Sequence, residues 1–115
     1  MRGDVTTVVE AWRQSWEKGK VSDYIQYYSE NAIQGDRRGK SAIREQKQQL
    51  WNGNKAPKKV ALRDMKMSLT QDGVQVEFVQ EYASKDGLAD KGRKKLVLGP
   101  VGNGWAILEE DWSKM

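Results

Sequence analysis

The hydrophobic repeat changes period once along this chain. Before Trp51 apolar residues recur at helical spacing, and from Lys59 to the C-terminus they alternate. A repeat of about 3.6 residues builds amphipathic helices and a repeat of two builds half-buried strands, so helices come first and a run of strands follows. That order predicts an α+β domain: a curved antiparallel sheet wrapped around three N-terminal helices.

Val5, Val8, Val9, Trp12 and Trp16 share one face of a helix over 5–18, with Asp4 as its N-cap and Gly19 as its stop. Ser22 is expected to cap a short second helix carrying Tyr24, Ile25 and Tyr28 and ending near Asn31. A short strand over 32–36 follows. Gly39-Lys40-Ser41 opens a third helix, with Ile43, Gln46, Leu50 and Trp51 on one side and Asn52-Gly53-Asn54 at its end. In the alternating half, Val60 and Leu62 fall on even positions and Met65, Met67 and Leu69 on odd ones, which places a β-bulge around Arg63-Asp64. Asp72-Gly73 reads as a hairpin, 85–92 as a polar loop, and 99–104 as a second hairpin whose positive φ angles come from Asn103-Gly104.

The 115 residues suit one domain, 1–115, burying roughly 65% of the surface its unfolded chain exposes. Five Trp, four Tyr and four Met spread along the chain argue against disorder despite 31% charged residues. With no cysteine and no histidine, disulfides, thiolate metal sites, the usual zinc sites, the serine triad and imidazole acid–base chemistry are all excluded. No metal or cofactor is expected. No apolar run approaches the roughly 20 residues that span a membrane. The abrupt start at Met1-Arg2-Gly3-Asp4 also suits a domain cut from a longer secreted protein.

The segments Val9-Glu10-Ala11-Trp12-Arg13-Gln14-Ser15-Trp16, Asp23-Tyr24, Tyr27-Tyr28, Phe78-Val79-Gln80-Glu81-Tyr82, Lys94-Lys95-Leu96-Val97-Leu98 and Gly104-Trp105-Ala106-Ile107, in this order and spacing, resemble a nuclear transport factor 2-like domain (the cystatin-like, SnoaL-like or ketosteroid-isomerase-like cone). More narrowly, they resemble the C-terminal cone domains of bacterial cell-shape carboxypeptidases of L,D-transpeptidase fold. The resemblance implies a strongly bent sheet, three helices closing a conical cavity, frequent dimerisation through the sheet, an envelope or periplasmic setting, and often no catalysis by the domain itself.

On this reading the cone is lined by Tyr28, Trp51, Met67, Phe78, Gln80, Tyr82, Lys94, Trp105 and Glu109. Gln80 is in phase with Val76, Phe78 and Tyr82, and an inward amide needs partners: Tyr82, the Lys94 ammonium or a ligand. A small ligand that is uncharged or bears a carboxylate, or a peptide end, fits such a patch. The alternative is a hydrogen bond satisfied within the protein. Trp12 and Trp16 are assigned to core packing. Val97, Leu108 and Trp112 are expected on an apolar outer sheet face that favours a homodimer or a partner domain.

Three functions follow. The first is a non-catalytic binding or accessory module. The second is a small lyase or isomerase with Glu109 as base, Asp36 and Asp64 ranking behind it, and Tyr82 or Tyr28 as acid; Glu109 equally suits a strand end facing water. The third is a polyanion-binding module built on Lys55-Ala56-Pro57-Lys58-Lys59 and Lys91-Gly92-Arg93-Lys94-Lys95. A net charge of +4 with acids interspersed throughout and no nucleic-acid motif speaks against specific nucleic-acid binding.

Overall fold

The computed structural model describes residues 4–53, 55–102 and 104–115. Helix α1 (Val5–Glu17) starts at Asp4, whose side chain accepts a hydrogen bond from the Thr6 N–H at 2.8 Å. It stops at Gly19, which takes the left-handed conformation, φ 67°, that ends helices. Helix α2 (Val21–Tyr24) is a single turn that tightens into a 3₁₀ turn at Ile25–Tyr27. Strand β1 (Tyr28–Gln34) begins at once, so the second helix is shorter than the sequence predicts and Tyr28 belongs to a strand. Its cap is Lys20 rather than Ser22. Strand β2 (Arg37–Arg38) and helix α3 (Lys40–Leu50, N-cap Gly39) complete the first half.

Four long strands follow: β3 (Pro57–Leu69), β4 (Val74–Ser84), β5 (Ala89–Val101) and β6 (Gly104–Lys114). The curved, unclosed sheet has the order β2-β1-β6-β5-β4-β3, antiparallel except where β1 runs parallel to β6. β5 starts earlier than a polar loop over 85–92 would allow, leaving a short turn after Ser84. At the β5–β6 hairpin Gly102 holds a left-handed position, φ 57°; Asn103, like Asn54 after α3, lies outside the described residues.

Register shifts interrupt the ladders at several places, and those within β3 and β6 set which residues face inward. In β3 the register slips between Arg63 and Lys66, and Asp64 sits at φ 56°, where the change from even to odd phase places the bulge. In β6, Leu98 pairs with Ile107 while its neighbour Val97 pairs with Glu109, so Leu108 is one residue extra. The sequence reading lacks this second bulge. Its effect is to exchange the faces beyond it: Glu110 and Trp112 point inward, opposite Leu96 and Lys94, and Glu109 points outward beside Val97.

The core lies between the helices and the concave face, around Trp12, Tyr24, Tyr28, Ile43, Val60, Phe78, Leu96, Leu98 and Ile107. Trp12 and Trp16 both pack there, their ring centroids 5.3 Å apart. Residues on the polar side of α1 also serve the fold. Arg13 Nη1 donates to the Val60 carbonyl at 2.8 Å and Glu17 accepts from the Val60 N–H at 2.9 Å, so the helix satisfies backbone groups of edge strand β3.

Candidate functional site

Between α3 and the concave face of the sheet an open cavity of about 580 Å³ remains. Gln46, Lys47 and Leu50 of α3 and Trp51 at its C-cap line the cavity, as do Gln80, Tyr82, Lys94, Glu110 and Trp112 of β4–β6. Trp16, Gln34, Arg37, Lys55, Asp86, Leu88 and Asp90 also border the cavity.

A buried polar network underlies this space. Lys94 and Glu110 are only 6% and 4% exposed, and Lys94 Nζ lies 2.5 Å from Glu110 Oε2. Glu110 Oε1 accepts from the Tyr28 hydroxyl and, at 2.9 Å, from Gln34 Nε2. Tyr28 in turn accepts from Trp12 Nε1 at 3.0 Å and lies 2.7 Å from the Tyr24 hydroxyl. Gln34 is held by Arg37, whose Nε donates to Gln34 Oε1 at 3.0 Å. Lys94 Nζ also stands 4.7 Å from the centroid of the Trp16 ring and 5.7 Å from that of Trp12, so cation–π attraction adds to its pairing.

These contacts fix the charge states. Burial pushes the Glu110 carboxyl upward, but the charge and hydrogen bond of Lys94, with the donors Tyr28 and Gln34, outweigh it and hold the group below the usual carboxylate range. Burial and the neighbouring Glu110 charge raise the Tyr24 and Tyr28 phenols well above their ordinary value. Lys47 behaves oppositely. Burial lowers its ammonium to about 7, Glu110 counteracting and Arg37 and Lys94 assisting the fall. Its hydrogen bond goes to the neutral Gln46 Oε1, at 2.7 Å.

Gln80 stands apart from this network. It is 5% exposed, it borders the cavity, and its Oε1 is the one buried side-chain polar atom among the described residues with no hydrogen-bond partner. A buried amide oxygen left without a donor costs about 1–3 kcal/mol, so its position against an open space has a physical meaning.

The model of the Cds6 C-terminal NTF2-like domain matches residues 4–111. The chain belongs to this NTF2-like family. No curated protein matches it. Among solved structures, Bd1075 of Bdellovibrio bacteriovorus is similar at 25% identity and a TM-score of 0.86, over 97% of this chain and 41% of that one. The present NTF2-like domain thus spans well under half of the Bdellovibrio chain. An NTF2-like protein of unknown function from Pseudomonas putida KT2440 (16% identity, TM-score 0.79, 95% of this chain and 82% of that) shares the fold. So does an NTF2-like protein from Cytophaga hutchinsonii (13% identity, TM-score 0.82, 96% and 95%).

Within this NTF2-like domain, Trp51, Gln80, Tyr82 and Lys94 come together at the cavity. Tyr28 lies beneath it as the hub of the buried network, and Phe78 is consumed by the core, its ring 6.2 Å from Trp12. Trp105 packs against the core near the β5–β6 hairpin. Met67 is exposed in a separate shallow groove beside Val5, Leu69 and Val74. Glu109 faces solvent because the Leu108 bulge turns it outward, and Asp36 and Asp64 are exposed as well. Trp112 shares the cavity with Lys94, while Leu108 lies over Gly99 on the opposite face. On that outer face Glu77 stands opposite Lys95 and Glu81 opposite Lys91 in the strand register, beside Val97 and Leu108, while Trp112 is turned away to the cavity. Lys94 is turned into the interior, which divides the second basic segment between two faces.

Sequence reasoning missed Glu110, Gln34, Arg37 and Lys47. For Glu110 the one local signal was Trp112, an aromatic residue two positions on and in the same phase. Lys47 was detectable only as the residue following Gln46 on the inward side of α3.

Proposed function

We propose that this domain is a binding or accessory module whose cavity receives a small ligand or the end of a peptide segment, and that it performs no chemistry on what it holds. The observation that carries this reading is the buried, unpartnered Oε1 of Gln80, a residue that lines an open space of about 580 Å³, a volume in the usual range of ligand sites. Apolar wall is supplied by Trp16, Leu50, Trp51, Tyr82 and Trp112, and polar and charged side chains such as Gln34, Arg37, Lys47, Lys94 and Glu110 are set among them.

The isomerase or lyase reading needs a carboxylate whose pKa is raised toward neutrality. Glu110 is the buried carboxylate beside a tyrosine, but its pKa is shifted the opposite way, and its two oxygens already accept from Tyr28, Gln34 and Lys94. A base with its lone pairs committed and its proton affinity lowered is a poor one. Self-association through the outer sheet face draws less support, because charged residues (Glu77, Glu81, Lys91, Lys95) stand on that face among its apolar ones. We further propose that the module works within a bacterial envelope protein; in support, it is similar to a 41% share of a longer bacterial chain.

The test is a titration of the ¹⁵N-labelled domain with a panel of small neutral, anionic and cationic fragments. Selective shifts of the Trp16, Trp51 and Trp112 indole N–H signals are expected from at least one class. If every class leaves these signals in place, the cavity is not a ligand site.

A further inference from the structure

The charge around the cavity is unbalanced in a way that selects a ligand. Lys94 is neutralised by Glu110 at 2.5 Å. Lys47 approaches from α3 with no carboxylate pairing it among the described residues, only the neutral Gln46 amide oxygen. Arg37 lines the same space; its acid partner, Asp36, is 3.9 Å away and 97% exposed, so it neutralises little. A half-buried ammonium and a guanidinium without close counter-ions keep an uncompensated desolvation cost that an entering anion would offset. Burial has already driven the Lys47 ammonium down to about 7, as expected of a cation short of a partner.

Two further features narrow the ligand. Gln80 Oε1 is an acceptor and nothing else, so the group facing it must bring an N–H or O–H. Glu110 below, with Asp86 and Asp90 also on the cavity, opposes a second negative charge. Building on the reading of the cavity as a ligand site, we infer that it takes a monoanionic carboxylate with an amide N–H close beside it, as at the end of an acylated amino acid or of a peptide. The carboxylate sets against Lys47 and Arg37, the N–H donates to Gln80 Oε1, and the side chain lies against Trp51 and Trp112. An ion pair with a carboxylate is stronger when it is also hydrogen-bonded, and here both cations supply donors.

The experiment compares three probes by indole N–H shifts: N-acetylphenylalanine, its C-terminal primary amide, and a hexapeptide ending in phenylalanine with a free carboxylate. N-Acetylphenylalanine is expected to bind at least about tenfold more tightly than the amide, a difference of about 1.4 kcal/mol. Lys47→Met should abolish that preference, and Gln80→Leu should weaken acid and amide alike. Binding of the hexapeptide together with the acetylated amino acid assigns the source as a peptide end; its exclusion assigns a free small molecule. Equal binding of acid and amide, or a preference that survives Lys47→Met, overturns the carboxylate assignment while leaving the cavity a binding site. Silence toward all three probes overturns it too, and silence toward the wider fragment panel as well removes the binding reading itself.

Discussion

Lys94 Nζ and Glu110 Oε2 meet at 2.5 Å beneath the cavity, each side chain less than a tenth exposed. The pair joins β5 to β6 just beyond the Leu108 bulge, and Tyr28 and Gln34 bring β1 into the same network. Removing one member leaves the other charged, unpaired and more than nine-tenths buried, which costs about 3–5 kcal/mol. Glu110→Gln is therefore expected to lose about that much in urea unfolding. The double variant Lys94→Met with Glu110→Gln should recover part of the loss, since no buried charge is left behind. A single variant within about 0.5 kcal/mol of wild type would show that water reaches the pair.

The same pair sets the response to acid. The folded Glu110 carboxyl lies below its unfolded value of about 4.3, so at lower pH the unfolded chain binds the extra proton first. The stabilisation is complete above that value and drains away as pH falls through the folded pKa. Unfolding midpoints measured from pH 6 to 3 should fall more steeply in wild type than in Glu110→Gln.

Tyr28 is a hub because its hydroxyl is acceptor and donor at once: it receives the Trp12 indole N–H and donates to Glu110. Tyr28→Phe keeps the ring and deletes these two bonds together with the hydroxyl's contacts to Tyr24 and Gln34, stranding a buried Trp12 donor. The expected cost is about 1–3 kcal/mol, read as a lower denaturation midpoint with an unchanged m-value. A change in m instead would mean that the core itself has loosened.

Gly73 in the β3–β4 turn has no room for a side chain, since a Cβ there would stand 2.0 Å from the Leu98 carbonyl oxygen of β5. Gly73→Ala must displace the hairpin from its neighbour, at about 1–3 kcal/mol. Hydrogen exchange should localise the damage to the amides of 74–76 and 96–98, and uniform protection would contradict the close approach.

The architecture was legible because periodicity records which face is buried, and the caps at Asp4 and Gly19 and the third helix opening at Gly39 are local chemistry. The site was less so. In β3 the phase change is written in apolar residues, Leu62 and then Met65, and the bulge is readable. In β6 the phase after Leu108 is carried by Glu109, Glu110 and Asp111, three acids in a row, so nothing local says which one turns inward. That choice is made by Lys94 across the strand pair, a partner sixteen residues away. Trp112, an aromatic past the acids, held the one hint of the correct phase. Lys47 escaped for a similar reason: a lysine on an amphipathic helix reads as solvated, and only the tertiary packing of α3 against the cavity takes water from it.

Lys47 then offers a measurement that depends on this packing alone. Its folded pKa of about 7 lies below the unfolded value of about 10.4, so between these limits the unfolded chain binds more protons and stability rises with pH. Below about 7 both states carry the proton and the cost of burying the charge is borne in full. The charged groups that face it are Glu110 on β6, Arg37 on β2 and Lys94 on β5. Tyr24 and Tyr28 oppose the trend only above about 10, where the unfolded phenols ionise and the folded ones do not. Denaturation midpoints from pH 6.5 to 9.5 should therefore climb in wild type and stay flatter in Lys47→Met, which should be the more stable of the two at pH 6.5 by about 1–2 kcal/mol, the half-buried ammonium retaining part of its hydration. Parallel profiles for the two proteins would mean that Lys47 is solvated and that the cavity lacks the unpaired cation on which its preference for a carboxylate rests.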